Sequence, residues 1–455
     1  MLVELTQLAS LSAEAANGHS QWQQWLNSSV KRLADASLLR SLHPVCTTLS
    51  PVEVDLSSVA LKEWLDSIAP SSVSASTCFT SQASQGSIRL KLFSLNDYMG
   101  LSQHPAICRA AGDTAVQCGM GPRSSALVGG YTRQHQDLEA SLATLKGTED
   151  CLLFSSGFAA NLAVVSALCQ GPDAVIFSDE LNHASIIDGC RLATRSKGAL
   201  QVYRHNDMAH LEELLQACPA SKRKLVITDS LFSMDGDFAD LHGLVALRRR
   251  YGFALALDEA HATLVAGDRG GGAAEMFGVA SEVDIHIGTL SKGFGSHGGF
   301  VAGSSALKSF LMNRGRSYVF STALPLPAVA AAQAAIIVCQ QEPQRRQNLW
   351  DRVQQLGDLL RVAVQSPIIP LVVGDEAAAL AASALLLRKG FHVPAIRPPT
   401  VPKHTSRLRV SLSAAHTADD IRSLAAAIKE CNLRFLPMDQ VLGMPTSLRP
   451  GSSKM

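Results

Sequence analysis

The chain has 455 residues, 47% hydrophobic and 17% charged, with 33 glycines and 19 prolines. That balance belongs to a globular protein long enough for two domains and excludes collagen-like, low-complexity and disordered chains. Lys plus Arg number 40 against 39 Asp plus Glu, so no net field gathers nucleic acid or an anionic membrane, and small molecules or further copies of the chain are the expected partners.

The opening stretch through Gln21 carries Glu4 and Glu14 but no Lys or Arg, so neither a signal peptide nor a transit peptide is expected there. Residues 1–92 read as a helical segment, about Ala13 to Ser37, followed by a Ser/Thr-rich linker, Ser71 to Ser87. From residue 93 to 330 short apolar runs alternate with segments of helix length: Cys151–Phe154, Ala174–Phe177, Leu225–Thr228, Ala254–Leu257 and Ile285–Ile287. Such alternation predicts βαβ units and a large α/β domain with a mostly parallel central sheet. Ligands of such sheets gather at the carboxyl ends of the strands.

The apolar stretch Pro325 to Cys339 contains Gln333 and falls short of the roughly 20 residues a membrane span needs. Residues 331–435 read as a smaller α+β C-terminal domain, Ala-rich and helical to about Gln365, with strands at Leu371–Val373, Val393–Ile396 and Leu408–Leu412. Residues 436–455 read as a loose tail. The 10 cysteines, Cys46 to Cys431, form no C-x-x-C pair and no Cys/His cluster, so no metal and no disulfide framework is expected.

The candidate chemistry falls at strand ends. Lys292, in Thr289-Leu290-Ser291-Lys292-Gly293-Phe294-Gly295, is a lysine among hydroxyls and glycines, which suits an aldehyde cofactor that bears a phosphate; alone it reads equally as a solvated loop lysine. Gly293-x-Gly295-x-x-Gly298 matches a dinucleotide fingerprint in form only, because no acidic ribose partner follows at the required distance. Asp258-x-x-His261 offers a carboxylate that can keep a pyridine nitrogen protonated, or else a helix N-cap. Ser156-Gly157-Phe158 opens a helix after a strand, where backbone amides favour an anion. His183 stands at another helix start, as a stacking ring or a structural histidine.

Together the pieces SLNDYMGL, GYTRQHQDLE, SSGFAAN, NHASIIDG, DSLFSMDGD, DEAHATLV, TLSKGFGSHGG, FSTALP and RPPTVP with SRLRVSLSA resemble the α-oxoamine synthases, enzymes of the pyridoxal-phosphate (PLP)-dependent transferase fold type I. The resemblance runs from about Arg40 to Glu430. It implies that PLP is the cofactor and that Lys292 carries it as a Schiff base. Asp258 would pair with the ring nitrogen, His183 would stack on the ring, and Ser233 and His261 would bond near its hydroxyl. The Gly157 and Phe158 amides with Thr289 and Ser291 would hold the phosphate. Ser321 and Thr322 match a segment that reaches the neighbouring subunit's phosphate, which implies a homodimer. Asn96 and Arg409 match positions that engage the amino acid carboxylate.

Within the family, Ile396-Arg397-Pro398-Pro399-Thr400-Val401-Pro402 and Arg40 resemble the members of biotin biosynthesis that join L-alanine to pimeloyl-CoA, with Arg40, Arg397 and Thr400 on the substrate side; an arginine suits the far carboxylate of a dicarboxylic acyl chain. Relatives that condense other acyl-CoAs, such as glycine C-acetyltransferase, 5-aminolevulinate synthase and serine palmitoyltransferase, would share every cofactor residue. A catalytically silent partner subunit is the reading from another class, and the presence of Lys292 weighs against it. Gly119-Met120-Gly121-Pro122-Arg123 and Ala262-Thr263 depart from the family's glycine pattern at segments near substrate entry. Ser453-Lys454-Met455 differs by one residue from the Ser-Lys-Leu signal, so the peroxisome, through its import receptor, is the expected location, with the cytosol as the alternative.

Overall fold

The computed structural model describes residues 20–36, 38–39, 42–43, 46–47, 50–68 and 87–436. Arg40, the Ser-rich linker up to residue 86 and the C-terminal tripeptide lie outside them. The described residues fall into two compact units, one drawn from 1–45 with 57–86 and the other from 46–56 with 87–455. In the first, residues 20–35 and Ser58–Ile68 are helical, and the His43 and Trp64 rings stack 5.2 Å apart.

The second unit contains three sheets. Strands β1 (Cys46–Thr47), β2 (Glu53–Ser57) and β3 (Ser87–Leu92) begin one of four strands. The central sheet is built from β4 (Asp150–Phe154), β5 (Ala174–Asp179), β6 (Ala199–Tyr203), β7 (Arg223–Asp229), β8 (Ala254–Asp258), β9 (Ile285–Thr289) and β10 (Gly299–Gly303), in the order β4-β10-β9-β8-β7-β5-β6. The remaining strands are β11 (Ile368–Gly374), β12 (Phe391–His392), β13 (Ala395–Ile396) and β14 (Ser406–Ser411); β12 joins β3 and the other three form a sheet in the order β11-β14-β13.

Strands β9, β8, β7, β5 and β6 are parallel, and β10 runs antiparallel to both β9 and β4. Both faces are covered, which is why the strands read as apolar runs and not as alternating ones. Leu255 and Leu257 enter one core cluster with Val226 and Phe177, while Ala256 between them enters the other with Ile227 and Ile176. The mostly parallel sheet expected from the sequence is therefore present, with helices on both faces.

Several details differ from the sequence reading. Strand β10, Gly-Phe-Val-Ala-Gly, is fully buried but has glycine at each end, a residue depleted in strands. Its glycines serve close approach: a Cβ on Gly299 would stand 2.4 Å from the Gly157 nitrogen. Strand β6 lies at the sheet edge with most of its residues partly or fully exposed, so it shows no apolar run. The Ala-rich segment is two helices, Leu326–Gln341 and Pro343–Leu360, because Pro343 begins a new one.

Among the described residues no helix is long and apolar enough to cross a membrane, and no cluster of three or more His, Cys, Asp or Glu is arranged to hold a metal.

Candidate active site

The carboxyl ends of the parallel strands converge as the sheet topology requires. Asp229 is the last residue of β7 and Asp258 the last of β8, and they are direct register partners. Thr289 ends β9 next to them, and the turn that follows carries Lys292. Asp258 is not a helix cap: its Oδ1 accepts the Ala260 N–H at 2.9 Å and shapes the turn that leads to His261.

Lys292 is half-buried, and its Nζ lies 2.9 Å from His261 Nε2. His261 Nδ1 is 2.7 Å from the Tyr98 hydroxyl, which donates to Asn96 Oδ1 at 3.1 Å. These bonds close if Lys292 donates to a neutral His261 that carries its proton on Nδ1. Burial first, then the charges of Lys292 and Arg409, hold His261 well below the usual imidazole range, in accord with that tautomer. The chain of bonds ends at Arg409, whose Nη2 reaches Asn96 Oδ1 at 3.3 Å while its Nε donates to the Ser233 carbonyl at 2.6 Å and its Nη1 to Ser411 at 2.7 Å. Lys292, His261, Asn96, Arg409 and Ser233 are thus one connected group.

A second group surrounds Asp258. Asn161 Nδ2 donates to Asp258 Oδ2 at 2.6 Å and to Ser185 Oγ at 3.0 Å, and Ser185 Oγ is 2.7 Å from His183 Nδ1. The exposed His183 caps the helix Ala184–Arg195, and its backbone N–H donates to Asp229 Oδ2 at 2.7 Å. Burial and the neighbouring Asp258 charge push Asp229 well above the carboxylate range. Lys292 is pulled below the ordinary lysine range by burial, against the opposing charges of Asp258 and Asp229.

The third group is an anion cradle. Ser156 caps the helix Gly157–Leu168 by accepting the Ala159 N–H at 3.1 Å, and the Gly157 and Phe158 amides lie in the first turn, where no intrahelical acceptor exists. A Cβ on Gly157 would sit 3.1 Å from Thr289 Cβ, so the absent side chain lets the helix start press against the hydroxyls of Thr289 and Ser291, themselves 2.8 Å apart.

An amine, a buried carboxylate one strand away, an exposed ring and a cradle of amides and hydroxyls are the donor set that a phosphate-bearing pyridine aldehyde needs, and these residues fit that group. Of the other expected residues, Ser321 and Thr322 line a small cavity with Ser155, and Thr322 bridges to Ser125. Arg397 pairs with Glu376 at 2.5 Å, and Thr400 donates its N–H to the Arg397 carbonyl at 3.0 Å. Tyr98, Asn161, Ser185 and Asp229 had no role of their own in the sequence, only their places in SLNDYMGL, SSGFAAN, NHASIIDG and DSLFSMDGD.

The family model described as aminotransferase class I and II matches residues 90–428. An 8-amino-7-oxononanoate synthase of Arabidopsis thaliana is 45% identical over 454 residues, 90% of this chain and 95% of the relative. One of Anaeromyxobacter dehalogenans is 51% identical over 341 residues, 73% of this chain and 84% of the relative. Among solved structures, a serine palmitoyltransferase of Sphingomonas wittichii superposes with a TM-score of 0.78 at 28% identity, covering 94% of this chain and 99% of that one. An 8-amino-7-oxononanoate synthase from Francisella tularensis gives 0.64 at 26%, covering 75% and 97%.

Because Asp258 is the largest influence holding the Lys292 amine protonated, Asp258→Asn is expected to move the pH midpoint of Lys292 acylation, read by mass spectrometry in the cofactor-free protein, to lower pH. An upward move would contradict this electrostatic reading.

Proposed function

We infer what this protein does from its family: the chain belongs to the class I and II aminotransferases and, within them, to the 8-amino-7-oxononanoate synthases. It is a PLP-dependent acyltransferase of biotin biosynthesis that condenses L-alanine with pimeloyl-CoA to 8-amino-7-oxononanoate, CoA and carbon dioxide. The carrying observation is the Lys292 amine, seated beside a neutral His261 at the end of β9, one strand from the buried Asp258.

PLP, bound there, supplies an aldehyde for the amino group of an amino acid and a ring that takes up the electron pair left when a bond at the α-carbon breaks. The chain's own residues do the rest. Lys292 would hold the cofactor and, once alanine displaces it, would take the α-proton, a task that burial of the amine suits by lowering its basicity. Asp258 keeps a proton on the ring nitrogen, and Asn161 holds its Oδ2 in place. His183 would stack on the ring, while Ser233 and His261 would meet its hydroxyl. The Gly157 and Phe158 amides with Thr289 and Ser291 would hold the phosphate. Asn96 and Arg409 orient the carboxylate of alanine, so that the bond to be lost as carbon dioxide is fixed in direction.

Glycine C-acetyltransferase, 5-aminolevulinate synthase and serine palmitoyltransferase need the same cofactor residues. The relatives at 45% and 51% identity favour pimeloyl-CoA over their substrates. Arg397 and Thr400, with Arg40, are the residues we assign to the acyl chain.

A homodimer is supported by exposed apolar side chains gathered beside the segment expected to reach the neighbouring subunit, because apolar side chains gathered in one patch mark a contact surface. Phe320 is 72% exposed beside Ser321 and Thr322, and Val128 is 82% exposed beside Ser125, to which Thr322 is bridged. Peroxisomal import is supported by the likeness of Ser453-Lys454-Met455 to Ser-Lys-Leu alone.

With alanine as co-substrate, kcat/KM is expected to be higher for pimeloyl-CoA than for acetyl-, succinyl- or palmitoyl-CoA, and Lys292→Ala is expected to lower turnover on the order of 10^3-fold or more. A higher kcat/KM for another acyl-CoA moves the assignment to the matching relative, and an active Ala variant removes Lys292 from its role. Light scattering under assay conditions should give twice the mass of one chain; a fully active monomer would refute the dimer. A fluorescent N-terminal fusion should be punctate with peroxisomes and become diffuse when residues 453–455 are deleted; an identical diffuse signal from both would eliminate the address.

A further inference from the structure

Outside the site described above, one buried charged cluster near it is centred on His205, which follows β6 and hydrogen-bonds to neither Lys292 nor Asp258. Its Nδ1 is 3.0 Å from Asp179 Oδ1 and its Nε2 is 2.9 Å from Asp237 Oδ2, with all three side chains buried. Carboxylate oxygens only accept, and a neutral imidazole has one N–H. With both carboxyls ionised each ring nitrogen donates and His205 is an imidazolium between two carboxylates; burial pushes Asp237 up, against the pull of the His205 hydrogen bond and charge. Burial pulls the protonation of His205 down, but the hydrogen bonds and charges of Asp179 and Asp237 outweigh burial and push it up to about 10. The charge is then present through the neutral range, and the stability it gives is lost only as pH rises through that value.

The two carboxylates belong to different walls of the site. Asp179 ends β5; its Oδ1 also accepts the Leu181 N–H at 2.9 Å, which bends the chain toward His183. Asp237 closes the loop that follows β7, where the Phe232 N–H donates to the Asp237 carbonyl at 3.0 Å, and Phe232 precedes Ser233. The His205 ring meets the Phe232 ring edge-on at 4.4 Å. Asn206 repeats the connection: its N–H donates to Asp179 Oδ2 at 2.9 Å and its side-chain amide to Asp237 Oδ2 at 3.0 Å. The other charged groups nearby are Glu180, which accepts the His205 N–H at 2.9 Å, the Arg204–Asp207 pair, and Asp235, which is paired with Arg407 of β14.

We propose that His205, clamped between Asp179 and Asp237, is a positioning residue for the reaction: it locks the turn that carries His183 to the loop that carries Ser233, and so fixes the separation of two walls of the cofactor site. The proposal rests on the assignment of those two residues to PLP. Without the ring's charge, two buried carboxylates face one another, and Asp237 Oδ1 already has no partner among the described residues. A buried ion pair that loses one member leaves an uncompensated charge, and the segments bearing it must separate or take up a proton.

The test is His205→Gln in the full chain, which keeps a donor but not the charge, read in two ways. By hydrogen exchange without cofactor, segments 179–183 and 229–238 should both exchange faster than in the parent. With PLP, affinity should fall about tenfold or more, as loss of outer-shell partners of bound groups does, and the visible circular dichroism of the bound cofactor should weaken while the far-ultraviolet spectrum is kept. Adding Asp237→Asn to His205→Gln should recover part of each loss, because Asp179 then no longer faces a second buried carboxylate.

Parental exchange in either segment, parental PLP affinity, or a double variant no better than the single one would overturn the proposal. Should His205→Gln not fold, Asp237→Asn alone should speed exchange in 229–238 and weaken PLP binding, and parental values for both would overturn it. A parent chain that binds no PLP would instead sink the function proposed above, and the exchange data would still decide whether the clamp exists.

Discussion

Two carboxylates, Asp229 and Asp258, end neighbouring parallel strands in direct register, and both are buried. Like charges at that spacing in a desolvated place cannot both stay ionised without a cation. The sheet therefore creates, by its topology alone, a place that calls for positive charge. Lys292 answers it from the end of the next strand, and a protonated pyridine nitrogen would answer it equally well. Asp229 gives way by shifting toward its neutral form.

The surroundings are organised to keep that arrangement fixed. Behind Asp258, Glu259 is wholly buried between Lys146, at 2.8 Å, and His286 of β9, also at 2.8 Å. Burial raises the Glu259 carboxyl, but Lys146 and His286 outweigh it and hold the group down to about 2. Lys146 further donates to Thr263 at 2.9 Å and to the Gly271 carbonyl at 2.6 Å, so one ammonium ties together the turn after β8 and the end of a helix. Such buried networks gain little net stability, because desolvation offsets attraction, but they allow few alternative packings. The Asn161 amide does the same for the Asp258 side chain itself.

The parallel strands were legible in the sequence because burial on both faces leaves unbroken apolar runs such as Ala-Val-Ile-Phe at residues 174–177 and Leu-Val-Ile-Thr at 225–228. Lys292 and Asp258 were legible as candidates because they stand just past such runs. Strand β10 was not, since its glycines answer close neighbours from elsewhere in the chain, the helix start at Gly157 for Gly299 and the Asp284 carbonyl and Leu307 for Gly303. Nor was the path from Lys292 through His261 and Tyr98 to Asn96, which joins residues 163 positions apart at the His261–Tyr98 bond. A side-chain contact of that kind has no periodicity and no local signature. It exists only once the small sheet that carries Arg409 has packed against the strand ends.

The proposed function depends most on one covalent assignment, that the cofactor is held by Lys292 and by no other amine. Borohydride reduction of the PLP-loaded protein fixes the cofactor to whichever lysine bears it, and peptide mass mapping then locates the added mass. The account predicts one modified peptide, the one containing Thr289 to Gly295, with the label on Lys292. A label on any other lysine, or a Lys292 peptide that stays unmodified while the protein takes up cofactor, would contradict it.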